Sequence, residues 1–385
     1  MRIGFDAKRA FQNGTGLGHY SRTLLDALVR YHPGHEYILF APKITDRYSY
    51  QAHPQMQVVR PETLRDKTFP SIWRSQNMTK DLVAQDIDLY HGLSHEIPAG
   101  IQHTNVRSVV TIHDIIFERY PHQYAKIDRL IYRKKFKHAC KFANRIIAIS
   151  EQTKRDLIEI YQIDSEKIDV CYQSCNPRFD SVVSHEEKEK IRNLYSLPQR
   201  FFLSVGSIIE RKNLLNTCKA VSTIWAEHKI PLVVIGEGGE YKKKVLKYIE
   251  EKDLKEAVYF LSDTAAARQN PGFTNSAHFP VIYQMAEAMI YPSEFEGFGI
   301  PVLEALFSGL PVITSNVSCM PEAGGDAALY VNPADYNQIA SQMLQILQNE
   351  DIRKSCIAKG KMHAQKFTPK ICADRVMEVY QKIML

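Results

Sequence analysis

The stretch Ser293-Glu294-Phe295-Glu296-Gly297-Phe298-Gly299-Ile300-Pro301-Val302-Leu303-Glu304 constrains the fold more than any other part of the chain. It lies between Ala288-Met289-Ile290-Tyr291 and Pro311-Val312-Ile313-Thr314, two apolar runs too short for helices, which predict buried strands. Between them Gly297 and Gly299 loosen a loop, Pro301 fits the first helical position, where no needed donor is lost, and Gly309 fits the stop. The unit is β-loop-α-β. The start of such a helix offers unpaired backbone N–H groups and the positive end of the helix dipole, an anion site suited to phosphate. Glu296 stands in the loop at the mouth of that site and Glu304 about one turn inside the helix. A phosphate cradle flanked by two carboxylates suits a ligand that carries both phosphates and hydroxyls.

The same pattern recurs along the chain. Arg2 to Asp6 reads as a first strand, followed by a loop through Gly14-Thr15-Gly16-Leu17-Gly18-His19 and a helix with Leu17, Tyr20, Leu24, Leu25 and Leu28 on one face. A dinucleotide fingerprint would need glycine where His19 stands and an acidic residue after the next strand, 36–41, so a dehydrogenase is poorly supported; a glycine loop with no function is the plain alternative. Asp86-Ile87-Asp88 could chelate a diphosphate-borne metal, but it precedes a strand, 88–92, whereas ligand sites in such sheets lie at strand carboxyl ends; it reads as structural. Arg107 to Ile112 is a strand with His113 at its carboxyl end, placed either for function or for hydrogen bonding within a loop.

Residues 124–145 are basic and partly aromatic, and as a helix would lie against anionic lipid headgroups or form an ordinary solvated face. Ser150 is placed to cap the helix that follows the strand 145–149, and 174–185 reads as a linker. The second half opens with a strand at 200–205 and a loop in which Arg211 and Lys212 could hold phosphate, a surface pair being the alternative. A strand and turn follow at 231–238 and a strand at 258–261, then an aperiodic polar stretch, 264–277, which suggests a mobile lid or acceptor element. Thr368-Pro369 opens a last helix. Two successive α/β halves, neither with the whole set of groups, imply a cleft between domains.

Composition narrows the function. At 385 residues and 44% hydrophobic content the chain is globular and long enough for two domains. A net charge of +6 fits anionic substrates or a lipid surface and does not call for nucleic acid. The cysteines, scattered and without a Cys-x-x-Cys pair, read as reduced thiols of a cytoplasmic protein, neither a disulfide frame nor a zinc site. No run approaches the roughly 18 apolar residues of a membrane span, and the N-terminus does not read as a secretory signal.

Taken together, Gly14-Thr15-Gly16-Leu17-Gly18, His113-Asp114, Ile149-Ser150-Glu151, Glu210-Arg211-Lys212-Asn213, the E-x7-E pair Glu296 and Glu304 with its intervening glycines, and Pro321-Glu322-Ala323-Gly324-Gly325-Asp326 resemble the retaining glycosyltransferases of family 4 over nearly the whole chain. The resemblance implies a GT-B fold, two Rossmann-like α/β domains facing each other across a cleft. The first, 1–176 with the C-terminal helix 369–385, would bind the acceptor; the second, 177–368, would bind a nucleotide diphosphate sugar. It implies that Arg211 and Lys212 hold the diphosphate, that Glu304 binds the ribose hydroxyls and Glu296 those of the transferred sugar, and that Phe298, Gly299 and Ile300 offer backbone N–H groups. Gly16 would approach the diphosphate and His113 the donor sugar. Ser207 stands in the donor loop where many relatives carry an arginine, leaving the phosphate grip to Arg211 and Lys212. The implied activity is metal-independent and cofactor-free transfer of a hexose, taken as mannose, to a glycan or lipid-linked acceptor in surface polysaccharide biosynthesis, on the inner membrane face. A GT-B nucleotide-sugar 2-epimerase and a non-catalytic nucleotide-sugar-binding subunit are the alternatives.

Overall fold

The computed structural model describes residues 1–385, which divide into two compact units, 1–175 with 367–385 and 176–366. The expected boundaries, 176/177 and 368/369, lie within a few residues of these.

The first unit contains β1 (Arg2–Asp6), β2 (Glu36–Phe40), β3 (Met56–Val59), β4 (Leu89–Gly92), β5 (Arg107–Ile112), β6 (Arg145–Ala148) and β7 (Ile168–Val170). They form one parallel sheet in the order β3-β2-β1-β4-β5-β6-β7. Both faces are covered, which is why its strands are apolar at successive positions. Tyr37 and Leu39 of β2 pack with Leu25 and Leu28 of α1 (Gly16–Tyr31), whereas Ile38 and Phe40 enter the opposite core with Phe136 of α2 (Lys126–Phe142) and Leu157 of α3 (Glu151–Tyr161). Ser150 caps α3, its hydroxyl accepting from the Thr153 N–H at 3.0 Å. The C-terminal helix, Pro369–Met384, belongs to this unit and buries Val376, Met377 and Tyr380 in the α1 core. The Tyr380 hydroxyl meets His91 Nδ1 at 2.6 Å, and His91 Nε2 lies 2.7 Å from Thr111 Oγ1.

The second unit contains β8 (Phe202–Val205), β9 (Leu232–Ile235), β10 (Val258–Phe260), β11 (Met289–Tyr291), β12 (Val312–Ser315) and β13 (Leu329–Val331), parallel in the order β10-β9-β8-β11-β12-β13. Helix α4 (Leu214–His228) follows β8 and α5 (Ile300–Phe307) follows β11. Each unit is thus a doubly wound α/β sheet.

Local details differ from the sequence expectation. The loop after β1 contains a helical turn, Lys8–Gln12, held by the buried Ala10 and Phe11. Helix α1 starts at Gly16, so Gly16 and Gly18 lie in its first turn, and Pro301 is the second residue of α5 instead of the first. The segment 264–277 is not without regular structure: it forms short helices, Ala265–Gln269 and Pro271–Thr274, with the buried Phe273 meeting the ring of Tyr195 at 5.6 Å. Asp88 accepts the Arg2 N–H at 2.7 Å and Asp86 sits in a left-handed turn, as a structural D-x-D requires. No helix is long and apolar enough to cross a membrane.

The loops leaving β8 and β9 press together at Gly236, where an added Cβ would lie 1.9 Å from the Gly206 carbonyl oxygen. That oxygen is backbone and cannot swing aside. Gly236→Ala therefore lowers the unfolding free energy of the second unit by at least about 2 kcal/mol, read from the denaturant midpoint.

Candidate functional site

In the second unit the chain leaves β8 toward β9 on one side and reaches β11 on the other, so the crevice outside the carboxyl ends of β8 and β11 is the switch point where doubly wound sheets bind ligands. The loops that meet there hold Arg211 and Lys212 after β8, and Ser293, Glu296 and Gly299 after β11.

Asn213 fixes the first loop. It stands at φ +62°, a left-handed conformation that asparagine tolerates, and its side-chain amide donates to the carbonyls of Pro292 (3.2 Å) and Pro333 (2.6 Å). The turn Glu210–Lys212 is thereby held against the loop after β11, and the Glu294 N–H donates to the Arg211 carbonyl at 2.8 Å.

Arg211, Lys212 and Glu296 form a buried ionic triad. Arg211 Nη1 lies 2.8 Å from Glu296 Oε2 and also donates to the Phe295 carbonyl. Lys212 Nζ lies 3.0 Å from Glu296 Oε1, donates to the Tyr291 hydroxyl and stands 4.7 Å from the centre of that ring. Tyr291 and Ser293 donate to Glu296 Oε1 at 3.1 and 2.9 Å. Behind it, Ser318 and Cys319 donate to the Glu296 carbonyl, both at 3.0 Å. Burial alone would raise the Glu296 pKa, but Lys212 and Arg211 outweigh it and pull the carboxyl down to about 2. Burial likewise works against the Lys212 ammonium, and Glu296 together with the Tyr291 hydroxyl more than compensates, so that its pKa is raised. The triad stays charged at any ordinary pH, with one cation in excess.

Helix α5 begins beside it. Gly299 has φ +103°, a conformation that L side chains rarely adopt and that favours glycine, and a Cβ there would also press on Met320 Cε at 2.6 Å. The N–H groups of Gly299 and Ile300 have no acceptor in the protein, as at any helix start. Glu304, one turn on, accepts from the Tyr283 hydroxyl at 2.8 Å and has no cation nearby; burial pushes its carboxyl up to about 7. The two glutamates are thus opposites, one locked as an anion and one poised near neutrality. Ser207 is exposed at the rim of the β8 loop.

In the first unit His113 is buried at the end of β5, with both ring nitrogens engaged. Its Nε2 meets the Leu93 carbonyl at 2.9 Å, which requires a proton on Nε2, and Nδ1 accepts from Gln173 Nε2 at 2.8 Å. Burial lowers its pKa to about 4, so the ring is neutral and offers carbon edges and not a free nitrogen. Gly16 opens α1, and the preceding turn is held by Asn13, whose side-chain oxygen accepts from the Thr15 N–H at 2.7 Å. Sequence reasoning missed Tyr291, Ser293, Tyr283, Ser318 and Cys319. Ser293 and Tyr291 flank the glutamate motif, but the contact of Tyr283 with Glu304 leaves no trace in spacing.

Residues 14–178 match the family model described as Glycosyltransferase Family 4, and residues 186–363 match the model Glycosyl transferases group 1. The chain is 28% identical over 297 residues to O-antigen chain mannosyltransferase B of Escherichia coli, spanning 76% of this chain and 74% of that protein. It is 30% identical over 242 residues to O-antigen chain mannosyltransferase RfbU of Salmonella typhimurium, spanning 63% of this chain and 61% of that protein. Its fold is similar to that of HepE of Anabaena in complex with UDP-glucose, with a TM-score of 0.74, 16% sequence identity and coverage of 99% and 100% of the two chains.

Removing Glu296 leaves two buried cations facing each other, so Glu296→Gln costs about 3 to 5 kcal/mol of stability, measured by chemical denaturation. For Glu304 the folded chain holds its proton more tightly than the unfolded chain, whose carboxyl titrates near 4.5. Stability therefore falls as pH rises from that value through about 7, and Glu304→Gln flattens this part of a thermal-melt pH profile.

Proposed function

The chain belongs to the family 4 glycosyltransferases of the GT-B fold, and from this premise we propose that it is a retaining hexosyltransferase that moves mannose from a nucleotide diphosphate sugar to a glycan or lipid-linked acceptor in surface polysaccharide biosynthesis. The observation that carries the reading is the Arg211–Glu296–Lys212 triad beside the start of α5, at the switch point of the second unit. The mannosyltransferase relatives support the sugar, and the UDP-glucose complex of HepE supports a nucleotide sugar as donor class.

The triad's chemistry fits phosphate departure. Cleavage of the anomeric carbon–oxygen bond leaves the electron pair, and a growing negative charge, on the diphosphate. Arg211, Lys212 and the Gly299 and Ile300 N–H groups form a preorganised positive field for that charge and need no metal or other cofactor to do so. Within the protein Glu296 neutralises one of the two cations and keeps both oriented. With donor bound, its carboxylate would take sugar hydroxyls and stabilise positive charge at the anomeric carbon. Glu304 would accept the two ribose hydroxyls, with Tyr283 holding its other face. The acceptor oxygen then bonds to the anomeric carbon from the face the diphosphate leaves, and its proton passes to a phosphate oxygen. No enzyme nucleophile is required. In the first unit the proposed contributions are the Gly16 backbone and the neutral ring of His113 near the donor sugar.

We also propose that α2 rests on an anionic lipid surface. Ile127, Leu130, Ile131 and Tyr132 are exposed by 72%, 63%, 46% and 41%, and Lys126, Lys134, Lys137 and Lys141 are exposed around them. Not every cation of the segment is available: Arg133, Lys135 and Arg145 are paired with Glu118, Glu96 and Asp169.

A thermal-shift screen of nucleoside diphosphates and their sugars tests the central reading, because the true donor at a hundredfold its Kd stabilises by about 2.7 kcal/mol. Arg211→Ala, Lys212→Ala and Glu296→Ala each reduce turnover at least about tenfold; unchanged rates overturn the assignment. Nucleotide released only when acceptor is present separates transfer from epimerisation. For α2, flotation with liposomes rises with anionic lipid content and drops in a Lys134→Glu/Lys137→Glu variant, each lysine near the surface counting for about 1 kcal/mol.

A further inference from the structure

The first unit has a switch point of its own, between β1 and β4, and its charges do not balance. Asp6 ends β1, with Lys8 and Arg9 directly after it; His95 and Glu96 follow β4. Arg74 reaches this crevice from a single π turn, Trp73–Asn77, a local widening frequent at functional sites. Its guanidinium grips Asp6 in a fork, Nε to Oδ1 at 3.2 Å and Nη2 on Oδ2, with Glu96 3.7 Å away. Glu96 is tied in turn to Lys135 at 3.0 Å. Both local carboxylates are thereby used. No carboxylate lies within ion-pair distance of Lys8 or Arg9.

Four cations thus face two carboxylates. The excess is sensed locally: burial, then Arg74 and Arg9, lowers the Lys8 ammonium against a weaker opposing pull from Asp6 and Glu96, and Arg9 adds to the depression of His95 and His113. Lys8 and Arg9 are half-buried, and the turn that carries them is pinned by Ala10 and Phe11 in the core, so neither can simply drift into solvent. Next to them His95 is held at φ +65°, a left-handed conformation costly for a non-glycine residue, with its ring stacked on Phe136 at 4.5 Å. Partly desolvating two cations that have no ion-paired carboxylate is unfavourable unless an anion completes them.

We propose that Lys8 and Arg9 form an oxyanion subsite for a phosphate group carried by the acceptor. A fork and a point charge side by side suit a phosphate ester or diphosphate, and the excess positive charge of the crevice favours a group with more than one negative charge. An uncharged sugar hydroxyl gives neither cation a counter-charge. The inference rests on the reading that the first unit takes the acceptor, and it narrows that acceptor to a phosphate-linked class. It also places the anion on the opposite half of the chain from Arg211 and Lys212.

Calorimetric titration of inorganic pyrophosphate onto the full chain tests it. The K8Q/R9Q variant binds pyrophosphate at this site at least about tenfold more weakly, the charge-preserving K8R/R9K variant retains binding, and K212Q loses only the other pyrophosphate site. In steady-state assays K8Q/R9Q shifts the ratio of KM values for a phosphate-linked and a phosphate-free form of the same glycan by about tenfold. Unchanged pyrophosphate binding in K8Q/R9Q overturns the proposal, as does an unchanged ratio or an effect confined to the donor KM. Failure of the nucleotide reading appears separately, as absence of any nucleoside diphosphate binding to the wild-type chain or of its loss in K212Q.

Discussion

Glu296 holds together the part of the molecule on which any chemistry depends. Two cations from the loop after β8 and one carboxylate from the loop after β11 are buried together at the carboxyl ends of neighbouring strands. A lone buried charge would be prohibitive, and two adjacent cations worse. The pairing by itself lets the chain keep Arg211 and Lys212 desolvated, oriented and charged. Asn213 and the Ser318–Cys319 contacts to the Glu296 peptide clamp the same loops from either side. The site is preorganised because its own counter-charge is built in.

That arrangement explains how two glutamates eight positions apart come to behave differently. Glu296 sits among donors and cations, and its charge is favoured by everything around it except burial itself. Glu304 is turned inward along α5, meets one tyrosine hydroxyl and no cation, and sits near its titration point at neutral pH. A carboxyl of this kind binds a diol best as the anion, so ligand occupancy and proton release are linked through it.

Much of this was legible in the sequence, for definite reasons. Parallel strands buried on both faces leave runs such as Ile38-Leu39-Phe40 and Leu232-Val233-Val234-Ile235, and glycine with proline marks the ends of α5. The edge strand β3 escaped because its Gln57 faces solvent and breaks the apolar run, and the turn 8–12 because it is too short for a helical period. The aperiodic pattern of 264–277 concealed short helices, whose order comes from packing around Phe273 and not from any repeat. Arg211, Lys212 and Glu296 were each read as reaching for a ligand; that they reach for one another follows only from the adjacency of β8 and β11. The role of Tyr283 and the surplus charge at Lys8 and Arg9 likewise depend on partners far away in the chain.

The C-terminal helix carries a further consequence. Its Val376, Met377 and Tyr380 complete the core under α1, and the Tyr380 hydroxyl closes a buried chain through His91 to Thr111. The first unit is therefore made first but finished last: its apolar face, with Leu24 and Leu28, stays uncovered until residues 369–384 have left the ribosome, by which time all of 176–366 has been synthesised and can fold. Assembly order in this chain runs against the order of synthesis, and the earliest segments wait longest for protection.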